Sequence, residues 1–282
     1  MKIAAVQFCA GNSWPDNQAA LTPWLAQAGA ANAELIVLPE NFACYGGDYR
    51  TVAEQHGGAI IDWCGQQARD CHSWLLAGSV PLATRPDGSP VPGRRVRPAQ
   101  LLFAPDGSLH GRYDKLHLFD AELDDAQGRY AESDYFEAGT ELLCSDIDGL
   151  MLGSLICYDL RFPLLAQALR DLGAELLVVP SAFTEVTGRA HWQVLLRARA
   201  IENGCFVLGA NQCGQHSATR QSHGHSMLVD PWGEVLATLD DRPGLLLTTL
   251  DRQRLDKIRR QLPLAKHQRL AIATESLTRS YQ

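Results

Sequence analysis

The chain alternates short continuous apolar runs with stretches whose apolar positions recur at helical spacing. Lys2–Phe8 reads as a strand, Asn17–Ala31 as an amphipathic helix, and Glu34–Leu38 as a buried strand stopped by Pro39. Thr51–Arg69 has the pattern of a second helix and Ser73–Val80 that of a strand. Ala99–Phe103 starts a hairpin turning through Pro105-Asp106-Gly107, and the Pro- and Arg-bearing stretch from Ala83 to Pro98 reads as an exposed loop. Farther on, Met151–Ile156 reads as a strand, Leu164–Leu172 as a helix ended by Gly173, and Glu175–Val179 as a strand ended by Pro180. A helix over His191–Asn203 leads into a strand over Cys205–Ala210. Ser226–Val229 and Val235–Leu239 then flank the turn Asp230-Pro231-Trp232-Gly233 as a hairpin.

An internal echo organises these elements. Ala33-Glu34-Leu35-Ile36-Val37-Leu38-Pro39-Glu40-Asn41-Phe42 resembles Ala174-Glu175-Leu176-Leu177-Val178-Val179-Pro180-Ser181-Ala182-Phe183. Each copy follows a strand and a helix, and a helical crossover implies parallel neighbouring strands. Two such units with added hairpins predict an α/β protein of two similar mixed sheets packed together, helices outside. No Gly/Ser-rich or low-complexity segment separates the units, so residues 1–282 read as one domain.

Composition narrows the class. The 282 residues are 46% hydrophobic and 20% charged, enough for a sizeable core, and the net charge of −7 argues against nucleic acid or anionic membrane as partner. Two short basic runs, Arg94-Arg95-Val96-Arg97 and Lys257-Ile258-Arg259-Arg260, read as solvated surface. No apolar run has the length of a membrane span, and Ile3–Val6 is too short for a signal-peptide core. Eight cysteines without regular spacing and without Cys-x-x-Cys read as reduced thiols of a cytoplasmic protein, not as disulfides or a zinc site.

Sites in α/β sheets gather beyond the carboxyl ends of strands. Glu40, Cys157 and Ser181 occupy such ends. Taken singly, Glu40 reads as a surface acid, Cys157 as small core packing, and Lys115, in Tyr113-Asp114-Lys115-Leu116-His117-Leu118-Phe119-Asp120, as a snorkelling lysine. Together they form a nucleophile system. A thiol with an ordinary pKa of about 8.5 is protonated near neutrality. Glu40 can take its proton and later activate water, while Lys115 and the N–H after Cys157 stabilise an oxyanion. The helix starting near Pro163 adds its dipole to the thiolate, fading within a turn.

Leu38-Pro39-Glu40-Asn41, Asp114-Lys115-Leu116-His117-Leu118-Phe119-Asp120 and Ile156-Cys157-Tyr158-Asp159-Leu160-Arg161-Phe162-Pro163 resemble, in order, the Glu, Lys and Cys signatures of the nitrilase superfamily of carbon–nitrogen hydrolases. The similarity runs from Lys2 to about Gln268. It implies a four-layer α-β-β-α sandwich, no cofactor, and a homodimer to which the segment from about 251 to 282 contributes. It also implies a second glutamate after the lysine that helps to hold Lys115 and the substrate nitrogen. Glu132 fits this place, with Glu122 as alternative.

Ser181-Ala182-Phe183-Thr184, Thr187-Gly188-Arg189-Ala190-His191-Trp192 and Leu195–Glu202 resemble the Nit branch. Gln212-Cys213-Gly214-Gln215-His216 and Gly224-His225-Ser226-Met227 favour its amidases of deaminated glutathione over ω-amidases, whose substrates are 2-oxoglutaramate or 2-oxosuccinamate. The expected reaction forms a Cys157 thioester, releases cysteinylglycine and then 2-oxoglutarate. Tyr158, Arg161, Ser181, Phe183 and Thr184 are the expected substrate contacts, although Arg161 could instead pair with Asp159.

Other readings carry less. His223-Gly224-His225 lacks a third metal ligand at recognisable spacing, and Gly224–Leu228 lacks the last glycine of a serine nucleophile elbow. Neither a dinucleotide-binding nor a phosphate-loop motif occurs. A Cys157–His191 pair would leave Glu40 and Lys115 without a role. A catalytically silent scaffold binding a metabolite or protein partner remains the alternative of a different class.

Overall fold

The computed structural model describes residues 1–270. Two six-stranded sheets form its centre. In the first, Lys2–Gln7, Leu35–Val37 and Trp74–Leu82 run parallel. Arg97–Phe103 and Leu109–Asp114 follow antiparallel on one side, and Gly244–Thr249 is antiparallel on the other. The second repeats this plan: Leu150–Ser154, Leu176–Ser181 and Phe206–Asn211 run parallel. Met227–Val229 and Val235–Thr238 continue it antiparallel, and Cys144–Ile147 closes the opposite edge. The echoed segments thus supply equivalent strands, Leu35–Val37 and Leu176–Ser181, third from that edge in each sheet.

The apolar runs are continuous because each central strand is covered on both faces. Ile3, Ala5, Leu35 and Val37 from one sheet share a core with Leu176, Val178, Phe206 and Leu208 from the other. The alternate residues Ala4, Val6, Ile36 and Leu38 pack under the helices Trp14–Ala30 and Tyr49–Cys71. Leu177, Val179 and Val207 do the same under Pro163–Asp171 and Gln193–Asn203. The result is the α-β-β-α sandwich that the sequence implies.

Several boundaries differ from the sequence pattern. The first helix starts three residues early, at Trp14, because Pro15 suits the first turn, whose N–H groups need no intrahelical partner. Asn17 is buried there and ties loops together: its amide bonds Gly11 at 2.8–2.9 Å and the Ala43 carbonyl at 3.1 Å. His191 and Trp192 belong to a wide turn, Gly188–Trp192, preceding the helix Gln193–Asn203. The expected loop ends before Pro98, which pairs with Pro81 inside a buried strand.

The basic run Arg94–Arg97 is likewise not all solvated. Arg97 is buried, because Glu137 and Asp114 neutralise it and its Nη1 donates to the Ala138 carbonyl at 2.5 Å. In the second run, Ile258 packs inward and Arg259 donates to the carbonyls of Gly204 and Ala174, both at 2.7 Å. These contacts fasten the helix Arg252–Gln261 to its own chain. The rest of the segment expected at a dimer contact, beyond residue 270, lies outside the described residues.

Among the described residues, no helix is long and apolar enough to cross a membrane. All eight cysteines are free, and six of them are buried.

Candidate active site

Three chain segments bring the chemistry together at the carboxyl ends of the sheets. Glu40 follows Leu35–Val37 in a turn pressed against the neighbouring strand at Gly78. A Cβ on Gly78 would lie 2.2 Å from the Pro39 carbonyl oxygen, so only glycine allows that approach. The Asn41 N–H donates to Ser79 Oγ at 2.8 Å, and Gln212 Nε2 donates to the Glu40 carbonyl at 2.9 Å. Gln212 Oε1 accepts from the Ala10 N–H, so this fully buried amide fixes Glu40 from the second half of the chain. No motif marked Gln212 as a positioning residue.

Cys157 opens the short 3-10 turn Cys157–Arg161, with φ +46, a left-handed conformation that costs a non-glycine residue strain. Asp159 holds the turn. Its carboxylate accepts from the Ile156 N–H at 2.9 Å, the Tyr113 hydroxyl at 2.6 Å and the His117 N–H at 3.0 Å. The His117 ring adds Nδ1 at 2.7 Å. Tyr113 and His117 flank Lys115, so one buried carboxylate joins the lysine segment to the nucleophile turn. Asp159 is therefore taken, and Arg161 instead approaches His191 Nδ1 with Nη1 at 3.1 Å.

Lys115 is fully buried between two carboxylates. Its Nζ donates to Glu40 Oε1 at 2.8 Å and to Glu132 at 2.7 and 3.0 Å. Glu132 is itself oriented by the Phe119 N–H at 2.8 Å. Glu122, exposed on the strand Asp120–Glu122, is not among the partners of Lys115 Nζ. Cys157, Glu40 and Ala182 line the same cavity, close enough for the thiol and the carboxyl to influence each other's protonation.

These groups set one another's protonation. Burial raises the Glu40 carboxyl above its usual range; Lys115 opposes this and Glu132 adds to it. Burial and then Glu40 push the Cys157 thiol well above its ordinary value, against the pull of Lys115. For Lys115, burial acts downward, but Glu132 and Glu40 outweigh it and hold the ammonium well above its usual value. At rest Cys157 is therefore a protonated thiol beside a carboxyl of raised affinity for protons and a permanent cation.

A cavity of about 440 Å³ opens over this group. Tyr158, Arg161, Phe183 and Thr184 line it, as the sequence reading expects. Ser181 is not at its wall: the residue is fully buried in its strand and its Oγ turns back to the Val179 carbonyl at 3.1 Å. Tyr45, Tyr130, His216 and Arg220 line the cavity too. Sequence reasoning missed them as wall residues because they sit on loops or, for Tyr130, the short strand Arg129–Ala131, and meet only when the chain folds.

A buried and a half-buried carboxylate, a lysine between them and a thiol at the wall of one cavity suit hydrolysis of a carbon–nitrogen bond. The sequence profile of the carbon–nitrogen hydrolase family matches residues 2–260, and the chain belongs to that family. It is a hydrolase of carbon–nitrogen bonds other than peptide bonds. Over 272 residues it is 41% identical to the deaminated glutathione amidase of Yersinia enterocolitica, covering 95% of this chain and 92% of that one. The human deaminated glutathione amidase is 38% identical over 275 residues, covering 95% and 83%. The crystal structure of Saccharomyces cerevisiae Nit3, a member of branch 10 of the nitrilase superfamily, superposes with a TM-score of 0.82. It is 27% identical and covers 96% of this chain and 97% of that chain.

Proposed function

We propose that this chain hydrolyses deaminated glutathione to 2-oxoglutarate and cysteinylglycine, with Cys157 as nucleophile, Glu40 as general base, Lys115 stabilising the oxyanion and Glu132 holding Lys115. The observation that carries the chemistry is the Glu40–Lys115–Glu132 chain of hydrogen bonds at the wall of the cavity that Cys157 also lines. The substrate follows from the two relatives of that name and from a cavity with cations at its wall, suited to an amide bearing carboxylates.

Glu40 takes the thiol proton as sulfur attacks the amide carbonyl. Lys115 Nζ and the Tyr158 N–H, a first-turn donor with no partner within its own helical turn, stabilise the tetrahedral oxyanion. Glu40 then passes the proton to the departing amine of cysteinylglycine, leaving a thioester. It next deprotonates water, whose attack releases 2-oxoglutarate and restores the thiol. Glu132 keeps Lys115 in place and charged throughout.

The same proposal takes the chain as a single-domain, cytoplasmic homodimer. Leu164, Val186, Val194 and Ile201, exposed on the outer layer over the second sheet, supply an apolar face for the partner copy.

The test is 2-oxoglutarate release from deaminated glutathione and from 2-oxoglutaramate, with Cys157→Ala alongside. Preference for deaminated glutathione, abolished in the variant, is the expected result. Preference for 2-oxoglutaramate would make the chain an ω-amidase, and release from neither would sink the substrate assignment.

A further inference from the structure

We propose that Arg220, on the loop between the strands Cys213–Gln215 and Gln221–His223, binds the carboxylate of the leaving dipeptide and so sets the preference for an extended amide over a primary one. The inference rests on the reading of deaminated glutathione as substrate.

The cavity carries two guanidinium groups, and they sit on separate aromatic platforms. Arg161 lies over Tyr158 and Phe183, with Cζ 5.8 and 5.1 Å from the ring centroids. Arg220 lies over Tyr45 and Tyr130, at 5.4 and 5.3 Å. Between them runs a strip of rings, Tyr130 to Phe119 at 5.0 Å and Phe119 to Tyr158 at 4.9 Å. Among the described residues neither arginine has a carboxylate within ion-pair distance, whereas Arg97, Arg112 and Arg254 each have at least one. A half-buried guanidinium held by ring faces keeps its in-plane N–H fork available for a bidentate carboxylate.

The substrate matches this layout. Deaminated glutathione has a carboxylate at each end and the scissile amide between. Arg161, four residues after the nucleophile, suits the oxo-acid end. The glycine carboxylate lies two residues beyond the scissile nitrogen, roughly 7 Å when extended. It therefore needs a cation away from Arg161, and Arg220 is the other one at the wall. 2-Oxoglutaramate has no such second carboxylate. A purely structural arginine stacked between tyrosines would serve every substrate alike.

The experiment compares wild type, Arg220→Gln and Arg220→Lys on deaminated glutathione, on its C-terminal carboxamide, and on 2-oxoglutaramate. For Arg220→Gln the ratio of kcat/KM for deaminated glutathione over 2-oxoglutaramate should fall by about 10- to 100-fold, chiefly through KM. The glutamine penalty should shrink severalfold on the carboxamide, and Arg220→Lys should restore part of the ratio. An equal penalty on acid and carboxamide, or an unchanged ratio, overturns the role of Arg220 alone. A wild-type enzyme that does not cleave deaminated glutathione removes the substrate reading first, and this inference with it.

Discussion

The Tyr113 hydroxyl donates to the fully buried Asp159 carboxylate at 2.6 Å, across the gap between the two sheets' loop systems. Tyr113 is the penultimate residue of the strand Leu109–Asp114 that leads to Lys115, and Asp159 lies two residues after Cys157. The contact therefore ties the segment of Lys115 to the turn of Cys157. The charged carboxylate also pushes the Tyr113 hydroxyl far above its usual range, second to burial, so the tyrosine remains a donor.

Replacing Tyr113 with Phe should leave Asp159 one donor short and cost about 1.5–3 kcal/mol of stability, in the range for a hydrogen bond to a charged group. Lys115 and Cys157 would lose their fixed spacing, so kcat should fall more than KM rises. Thermal unfolding and steady-state kinetics on one preparation check both. An unchanged kcat in a destabilised variant would confine the contact to folding.

Activity should rise with pH along a limb that reports Glu40. Its carboxyl is raised, above all by burial, so the apparent midpoint should lie above the ordinary carboxylate range. Glu132 contributes upward through its charge. Glu132→Gln should therefore move the limb to lower pH even as it lowers the rate. A shift upward would contradict this electrostatic assignment. Lys115, held well above its usual value, stays charged across the range and adds no limb near neutrality.

Glu137 offers a test of stability against pH. It binds Arg85 at 2.8 Å and Arg97 at 2.5 Å. The Arg85 hydrogen bond is the largest influence; with Arg97 it outweighs burial and lowers the carboxyl to about 2. A depressed acid contributes stability above its ordinary value of 4.5 that is lost as pH falls through about 2. Glu137→Gln should accordingly lower the Tm at pH 7, and the gap from wild type should close in that acid window. A gap independent of pH would assign the loss to packing.

The hydrophobic pattern determines the layers of this protein by itself. Runs such as Leu35–Val37 and Leu176–Ser181 are apolar on both faces, which only a strand between two covering layers requires, and their repetition announces two equivalent sheets. The convergence of Glu40, Lys115 and Cys157 is legible too, because each sits near a strand end and inside a distinctive local motif. Glu132 follows only from the family resemblance, which leaves Glu122 as alternative; in the structure it is Glu132 that meets Lys115. What the pattern did not reveal is short or edge structure. Gly244–Thr249 pairs with Lys2–Gln7, far away in sequence, and its partly exposed residues carry no periodic signal.

Only the tertiary structure decided which loops meet over the thiol. Tyr45, Gln212, Tyr130 and Arg220 come from separate segments, and their roles depend on distances that no local spacing encodes. It also turned Ser181 inward and sent Arg161 to His191, because Tyr113 and His117 already occupy Asp159. Local pattern dictates which faces are buried; the packing of one sheet on the other dictates which polar groups remain unpartnered at the cavity and free for substrate.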